Sequence, residues 1–165
     1  MPGSFVSRRG ASALAGWMFA VSALLGSFAI PAHAGSIVYG ASKGPAIGGF
    51  DAVAYFTTGA PTEGDARHTH EWNGATWRFA SPENRELFKA DPERYAPQYG
   101  GYCAYAMSSG AFSPGDAQRW RIEGGKLYLN ANIFAQTLWE SNVAGRVRDA
   151  DGHWPQKKAE LEARP

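Results

Sequence analysis

A small α+β single domain, with two antiparallel β-hairpins and short helices packed on them, is the fold class this sequence predicts. Three observations lead there. Residues 35–165 number 131, a size that suits one compact unit. Two stretches of strand-forming residues flank tight-turn signals, and each is followed by a helix start. Five of the six tryptophans lie in this part of the chain, enough apolar surface for a core without disulfide staples.

The first 34 residues read differently. Arg8-Arg9 form a basic start, an apolar run follows from Ala11 to Ile30, Pro31 breaks it, and Ala32-His33-Ala34 offers a small-x-small cleavage pattern. Residues 1–34 are therefore expected to be a signal peptide cut after Ala34, leaving a periplasmic or secreted product. The general secretory route is expected ahead of the twin-arginine route, because Gly10-Ala11-Ser12 lacks the apolar residue that usually follows the paired arginines. The apolar run, about 20 residues, also has the length of an uncleaved anchor. The cleavage pattern favours a product with no membrane partner. Without Arg8 and Arg9 the chain carries 14 basic against 15 acidic residues, a formal charge of −1, so nucleic acid and anionic membranes are not expected partners.

Along residues 35–155, Gly48-Gly49 open an apolar segment that runs through Phe56, and Ala60 to Gly64 form a polar loop. His68–Trp72 and Ala75–Phe79 flank Asn73-Gly74, a pair that tolerates the positive φ of a type I′ hairpin turn. Ser81 then caps a helix with Pro82 at its first position and Leu87 and Phe88 on its apolar face, and Asp91-Pro92 starts a second short helix. The pattern recurs. Arg119–Ile122 and Lys126–Leu129 flank Glu123-Gly124-Gly125, and Asn130 is placed to cap a helix carrying Ile133, Phe134, Leu138 and Trp139. Packing the two hairpin-plus-helix units on each other buries both apolar faces, although the likeness is too short to establish a duplication. The charged tail, 156–165, is expected to fray or to dock as a loose turn.

The chemistry centres on the single cysteine, Cys103, within Tyr99-Gly100-Gly101-Tyr102-Cys103-Ala104-Tyr105-Ala106-Met107. A lone thiol in an oxidising compartment is a packing residue, a soft metal ligand, a redox thiol or an intermolecular cross-link. If the segment is helical, the sulfurs of Cys103 and Met107 share a face, and a thiolate with a thioether suits Cu(I). His68 and His70 alternate on a strand and point the same way, which makes either imidazole a candidate third ligand. Against these stand plain roles: a buried thiol that packs, a methionine that fills a core gap, and a histidine pair on a solvated face. Gly100-Gly101 suits either a tight turn into a helix start or an ordinary loop. Tyr99, Tyr102 and Tyr105 either line an aromatic pocket about the thiol or form a half-buried surface. No nucleophile elbow, phosphate-binding loop, His-Glu-x-x-His pair or CxxC dithiol is present, so a binding domain is expected ahead of an enzyme.

The blocks Phe50–Phe56, His70–Ser81, Asp91–Tyr95 and Gly100–Tyr105 together resemble the YHS-domain family, and more closely its small exported bacterial branch, over roughly Gly48 to Trp154. YHS domains are appended elsewhere to copper-transporting ATPases and multicomponent hydroxylases, and the resemblance implies metal binding. It also implies kinship with selenoproteins, since some members of that branch carry selenocysteine at the position of Cys103. The departures are clear. Metal-type members place cysteines near the start and after the hairpin, where this chain has Asp51-Ala52-Val53-Ala54 and Phe79-Ala80-Ser81-Pro82. The resemblance thus implies the fold, while the family's thiolate cluster is missing. Two chemical expectations remain: metal handling, with copper held by Cys103, Met107, His68 and His70, and a redox role with Cys103 as the catalytic thiol acting with a partner's thiol. The third is an interaction domain that buries Cys103.

Overall fold

Asn73 and Gly74 adopt φ values of 50° and 69°. This reversal folds β1 (Asp65–Trp72) antiparallel onto β2 (Ala75–Phe79). Gly124 and Gly125, at 56° and 76°, do the same for β3 (Asp116–Glu123) and β4 (Lys126–Asn130). The computed structural model describes residues 35–164, and the signal peptide expected over 1–34 lies outside the described residues.

Helix starts follow side-chain caps. The Ser81 hydroxyl accepts the Asn84 N–H at 3.2 Å and opens α2 (Pro82–Ala90), preceded in the chain by α1 (Ala54–Thr57). Asp91 caps α3 (Pro92–Tyr95), and Cys103 stands at the cap position of α4 (Ala104–Met107). Asn132 accepts from Ala135 at the start of α5 (Ile133–Glu140), and Asn142 accepts from Gly145 at the start of α6 (Val143–Glu162). Among the described residues the fold is therefore six helices and two separate two-stranded sheets, a small α+β domain.

One expectation is corrected and one is sharpened. Asn130 does not cap α5. It ends β4, paired with Asp116, and turns its side chain to the Tyr105 N–H at 3.2 Å, which leaves the cap to Asn132. Of the two fates expected for the charged tail, it docks, as the end of a long helix rather than as a loose turn. Helix α6 runs through Pro155 to Glu162 because Leu161 is buried and the Glu162 carbonyl accepts the Gly35 N–H at 3.3 Å.

The recurrence reaches well beyond the hairpins. Pro45, Gly48, Gly49, Ala52 and Ala54 stand 52 residues before Pro97, Gly100, Gly101, Ala104 and Ala106. Gly64-Asp65-Ala66 stands 51 before Gly115-Asp116-Ala117. Geometry repeats with sequence. Ile47 and Tyr99 both take left-handed φ, 45° and 57°, ahead of their glycines. The register shifts between Asp65 and Thr69 in one hairpin and between Asp116 and Trp120 in the other. The Asp51 N–H donates to Thr62 O at 2.8 Å, and the Cys103 N–H donates to Ser113 O at 2.9 Å. The domain is two copies of one unit: a left-handed turn, a short helix, a bulged hairpin and a pair of capped helices. They share apolar interior, since Leu127 and Leu129 of the second copy pack with Trp77, Phe79 and Phe88 of the first.

Candidate functional site

Cys103 follows the second left-handed turn, where Gly100 and Gly101 take φ of 63° and 83°. The turn is required by a close crossing: the Tyr39 N–H donates to Gly100 O at 2.8 Å, and a Cβ on Gly100 would collide with the Ile37 carbonyl. The chain then bends into α4. Cys103 pairs with Leu129 in a parallel bridge, and Met107 closes the helical turn by donating to Cys103 O at 2.9 Å.

The thiol is 1 % exposed. Its Sγ accepts the Ala106 N–H at 3.5 Å and lies 3.8 Å from Asn130 Oδ1, which also accepts the Tyr105 N–H. Asn130 is fully buried, and its Nδ2 has no hydrogen-bond partner. Met107 is also fully buried, in a cluster with Tyr99, Ala104, Tyr128, Trp139 and Ala150. Cys103 and Met107 thus sit one turn apart on a real helix.

His68 and His70 do not join them. Both are half-buried on one side of β1, where the His70 ring meets Phe88 edge-on with centroids 6.3 Å apart. Strand β1 packs against β2 and α2, whereas α4 packs against β4, α5 and α6. The four-residue ligand set is therefore not assembled, because the histidines and the sulfurs belong to different copies of the unit. Among the described residues no group of three His, Cys, Asp or Glu side chains is placed to hold a metal ion.

The tyrosines divide. Tyr99 is buried, donates to Asp151 Oδ1 at 2.8 Å, and is raised far above the usual tyrosine range by burial and then by that carboxylate. Tyr102 is half-buried between Tyr39 and Phe112, and burial raises its hydroxyl too. Tyr105 lies under the Arg146 guanidinium, 4.7 Å from its centroid. None of the three donates a hydroxyl hydrogen bond to the sulfur. A separate cleft of about 550 Å³ opens between the hairpin tips, lined by Trp72, Arg94, Lys126, Trp154 and Lys158 together with Tyr99 and Gly100; Cys103 does not line it.

The residues that sequence reasoning missed are Asp51 and Asn130. Asp51, the counterpart of Cys103, is fully buried. Its Oδ1 accepts from the N–H groups of Val53 and Ala54 at 2.8 and 3.2 Å, and its Oδ2 accepts from Ala80 N–H at 2.8 Å and Asn84 Nδ2 at 2.7 Å. The signal for it was available: aligning Gly48-Gly49-Phe50 with Gly100-Gly101-Tyr102 puts Asp51 on Cys103.

Residues 53–99 match the YHS domain family, less than a third of the chain and a narrower span than the resemblance over 48–154. The matched segment contains His68 and His70 and ends before Cys103. No curated protein and no solved structure matches the chain.

Proposed function

We propose that this chain is an exported binding domain of the YHS type that handles a soft metal ion such as copper through Cys103, with Met107 as the second sulfur. One observation carries the reading: the only thiol begins the turn of helix that ends in Met107, and both side chains are held away from water. A thiolate and a thioether favour Cu(I) over oxygen-loving cations. A closed Zn²⁺ site needs four nitrogen or sulfur ligands, which these residues do not provide. The family match supports metal handling in kind, while the thiol lies beyond the matched segment. His68 and His70 take no part in this version of the site.

A Cu(I) competition titration against a colorimetric chelator tests it. Wild-type protein should withdraw one equivalent of copper, Cys103→Ser none, and Met107→Leu should bind more weakly. Equal and negligible uptake by wild type and Cys103→Ser would end the metal reading. The result would leave a redox role for the thiol or, if the thiol also proved inert to peroxide, the packing role that its burial favours. Export has its own test. The mature protein should begin at Gly35, and recovery of Met1 on the membrane-bound product would contradict it.

A further inference from the structure

Cys103 stands at the position that Asp51 holds in the first copy, and the difference between the two bears on a chemistry that needs no metal. In the first copy the residue after the Gly-Gly-aromatic turn is a carboxylate. Its two oxygens take up four donors: Val53 N–H, Ala54 N–H, Ala80 N–H and Asn84 Nδ2. In the second copy the same backbone carries a thiol, which offers one weak acceptor atom where the carboxylate offers two strong ones. The counterpart of the Ala54 N–H, that of Ala106, reaches Sγ at a long 3.5 Å. The counterpart of the Val53 N–H, that of Tyr105, is taken by Asn130 Oδ1 instead. Asn84 is replaced by Ala135, which has no side-chain donor, and Phe79 by Asn130, which has one. The Asn130 carboxamide meets the sulfur through Oδ1, toward which the thiol S–H is directed at 3.8 Å, while Nδ2 of the same carboxamide is buried and has nothing to bond. A buried, unpaired amide donor costs roughly 1–3 kcal/mol.

We propose that Cys103 is a peroxide-oxidation site whose sulfinate product is held as Asp51 is held. The sulfur attacks one oxygen of hydrogen peroxide, the O–O bond breaks, and the other oxygen leaves as water with the thiol proton. The thiol becomes a sulfenic acid, oxidised by two electrons as the peroxide is reduced. A second equivalent repeats the transfer, giving a sulfinic acid and another water, and the sulfinic acid ionises. A sulfinate has a carboxylate's charge and its two oxygens. One oxygen accepts from Ala106 N–H, and the other supplies the acceptor that Asn130 Nδ2 lacks. The chain has no second cysteine to resolve the sulfenic acid as an internal disulfide, so the reaction proceeds to the sulfinate. The burial of the thiol makes the reaction slow and dependent on local opening.

The test uses metal-free mature protein, so it stands apart from copper binding. Folded protein is treated with hydrogen peroxide, its intact mass is read, and fragment spectra separate oxidation of Cys103 from oxidation of Met107. The expected product carries two added oxygens on Cys103, and its Tm is raised by about 5 °C over the reduced protein. Cys103→Asp, which carries the carboxylate directly, should match or exceed wild-type Tm. Asn130→Asp keeps the acceptor for Tyr105 N–H and removes the donor, and its oxidised form should melt below its reduced form. The proposal is overturned if the folded thiol resists peroxide while the unfolded chain reacts. It is equally overturned if the sulfinate form of wild type melts several degrees lower than the thiol.

Discussion

Replacing Asp51 by alanine should cost this domain a large part of its stability, and the structure allows the loss to be sized. The carboxylate is fully buried and is the acceptor for four donors, two at the start of α1, one at the start of the loop into α2 and one on the Asn84 side chain. A lost helix-start acceptor costs about 1 kcal/mol, and a buried donor left unpaired roughly 1–3 kcal/mol. Asn84 can rotate toward water because it is only half-buried, so it adds little. The Val53 and Ala80 N–H groups cannot rotate away and have no other partner, whereas the Ala54 N–H keeps the Asp51 carbonyl at 3.2 Å. Non-additivity within one cluster brings the sum to about 4 kcal/mol, against a total of 5–15 kcal/mol for an ordinary domain. The matching fall in Tm is about 15 °C at this chain length. Asp51→Asn should lose nearly as much, since its amide turns a donor toward two donors. The assay is urea unfolding followed by tryptophan fluorescence, with Cys103→Ala as the internal comparison. That variant removes two long sulfur contacts, to the Ala106 N–H and to Asn130 Oδ1, and should lose no more than about 2 kcal/mol. An Asp51→Ala protein within about 1.5 kcal/mol of wild type, at unchanged m-value, would show that water or a neighbouring residue replaces the carboxylate and that the donor count misleads.

The other expectations are quicker to state. Gly48 and Gly100 occupy equivalent left-handed positions, at φ 71° and 63°, but a Cβ on Gly48 meets only Phe50 at 3.9 Å, whereas one on Gly100 strikes the Ile37 carbonyl. Gly48→Ala should therefore cost about 1 kcal/mol and Gly100→Ala more than about 3 kcal/mol by thermal or urea unfolding; similar losses would contradict the crossing. Burial raises both Tyr55, which donates to Ala117 O at 2.9 Å, and Tyr99 far above the ordinary tyrosine value of about 10. Above pH about 10 the unfolded chain loses these protons before the folded one, so stability from this source is complete below that pH and declines as pH climbs toward the raised folded values. Tyrosinate absorbance should show two groups that titrate only as the protein unfolds, and their titration together with the exposed tyrosines would refute the burial.

Much of the fold was legible because its signals are local. Asn73-Gly74, Ser81-Pro82 and Asp91-Pro92 each act through the backbone of their own few residues, and each does in the structure what the sequence indicates. Asn130 misled for the same reason. Two asparagines, Asn130 and Asn132, precede α5, and only the long-range partner, Tyr105 N–H, decides which one is free to cap. Leu161 shows the limit from the other side: a charged tail reads as frayed or loosely docked, yet one apolar residue finds a buried place. The ligand set was less legible still. Cys103 and Met107 are linked by helix periodicity, which sequence reveals, whereas any meeting with His68 or His70 depends on how the two copies pack. Asp51 was hidden by its type, because an aspartate after two glycines reads as a turn residue until its four donors are seen.

The division between the copies bears on where function resides. The family match begins two residues after Asp51 and ends four before Cys103, so it frames one unit and omits the cap residue of each. At those caps the copies differ in a coordinated way. Asp51 is accompanied by Asn84, the donor its second oxygen uses, and by Phe79, which is buried with no polar atom to place. Cys103 is accompanied by Ala135, with no donor, and by Asn130, which takes over the Tyr105 N–H. Exchanging either asparagine alone breaks a set: Asp51 without the amide donor of Asn84, or the Tyr105 N–H without the Asn130 acceptor. Asp51 holds the first copy shut with strong, fully used hydrogen bonds and has no acceptor capacity to spare. The second copy replaces that bonding with a polarizable sulfur and an unsatisfied amide, which makes it the weaker of the two locks. Stability is thus expected to concentrate at Asp51, and the ligand or oxidant chemistry proposed for Cys103 is to be sought in the copy that lacks the carboxylate.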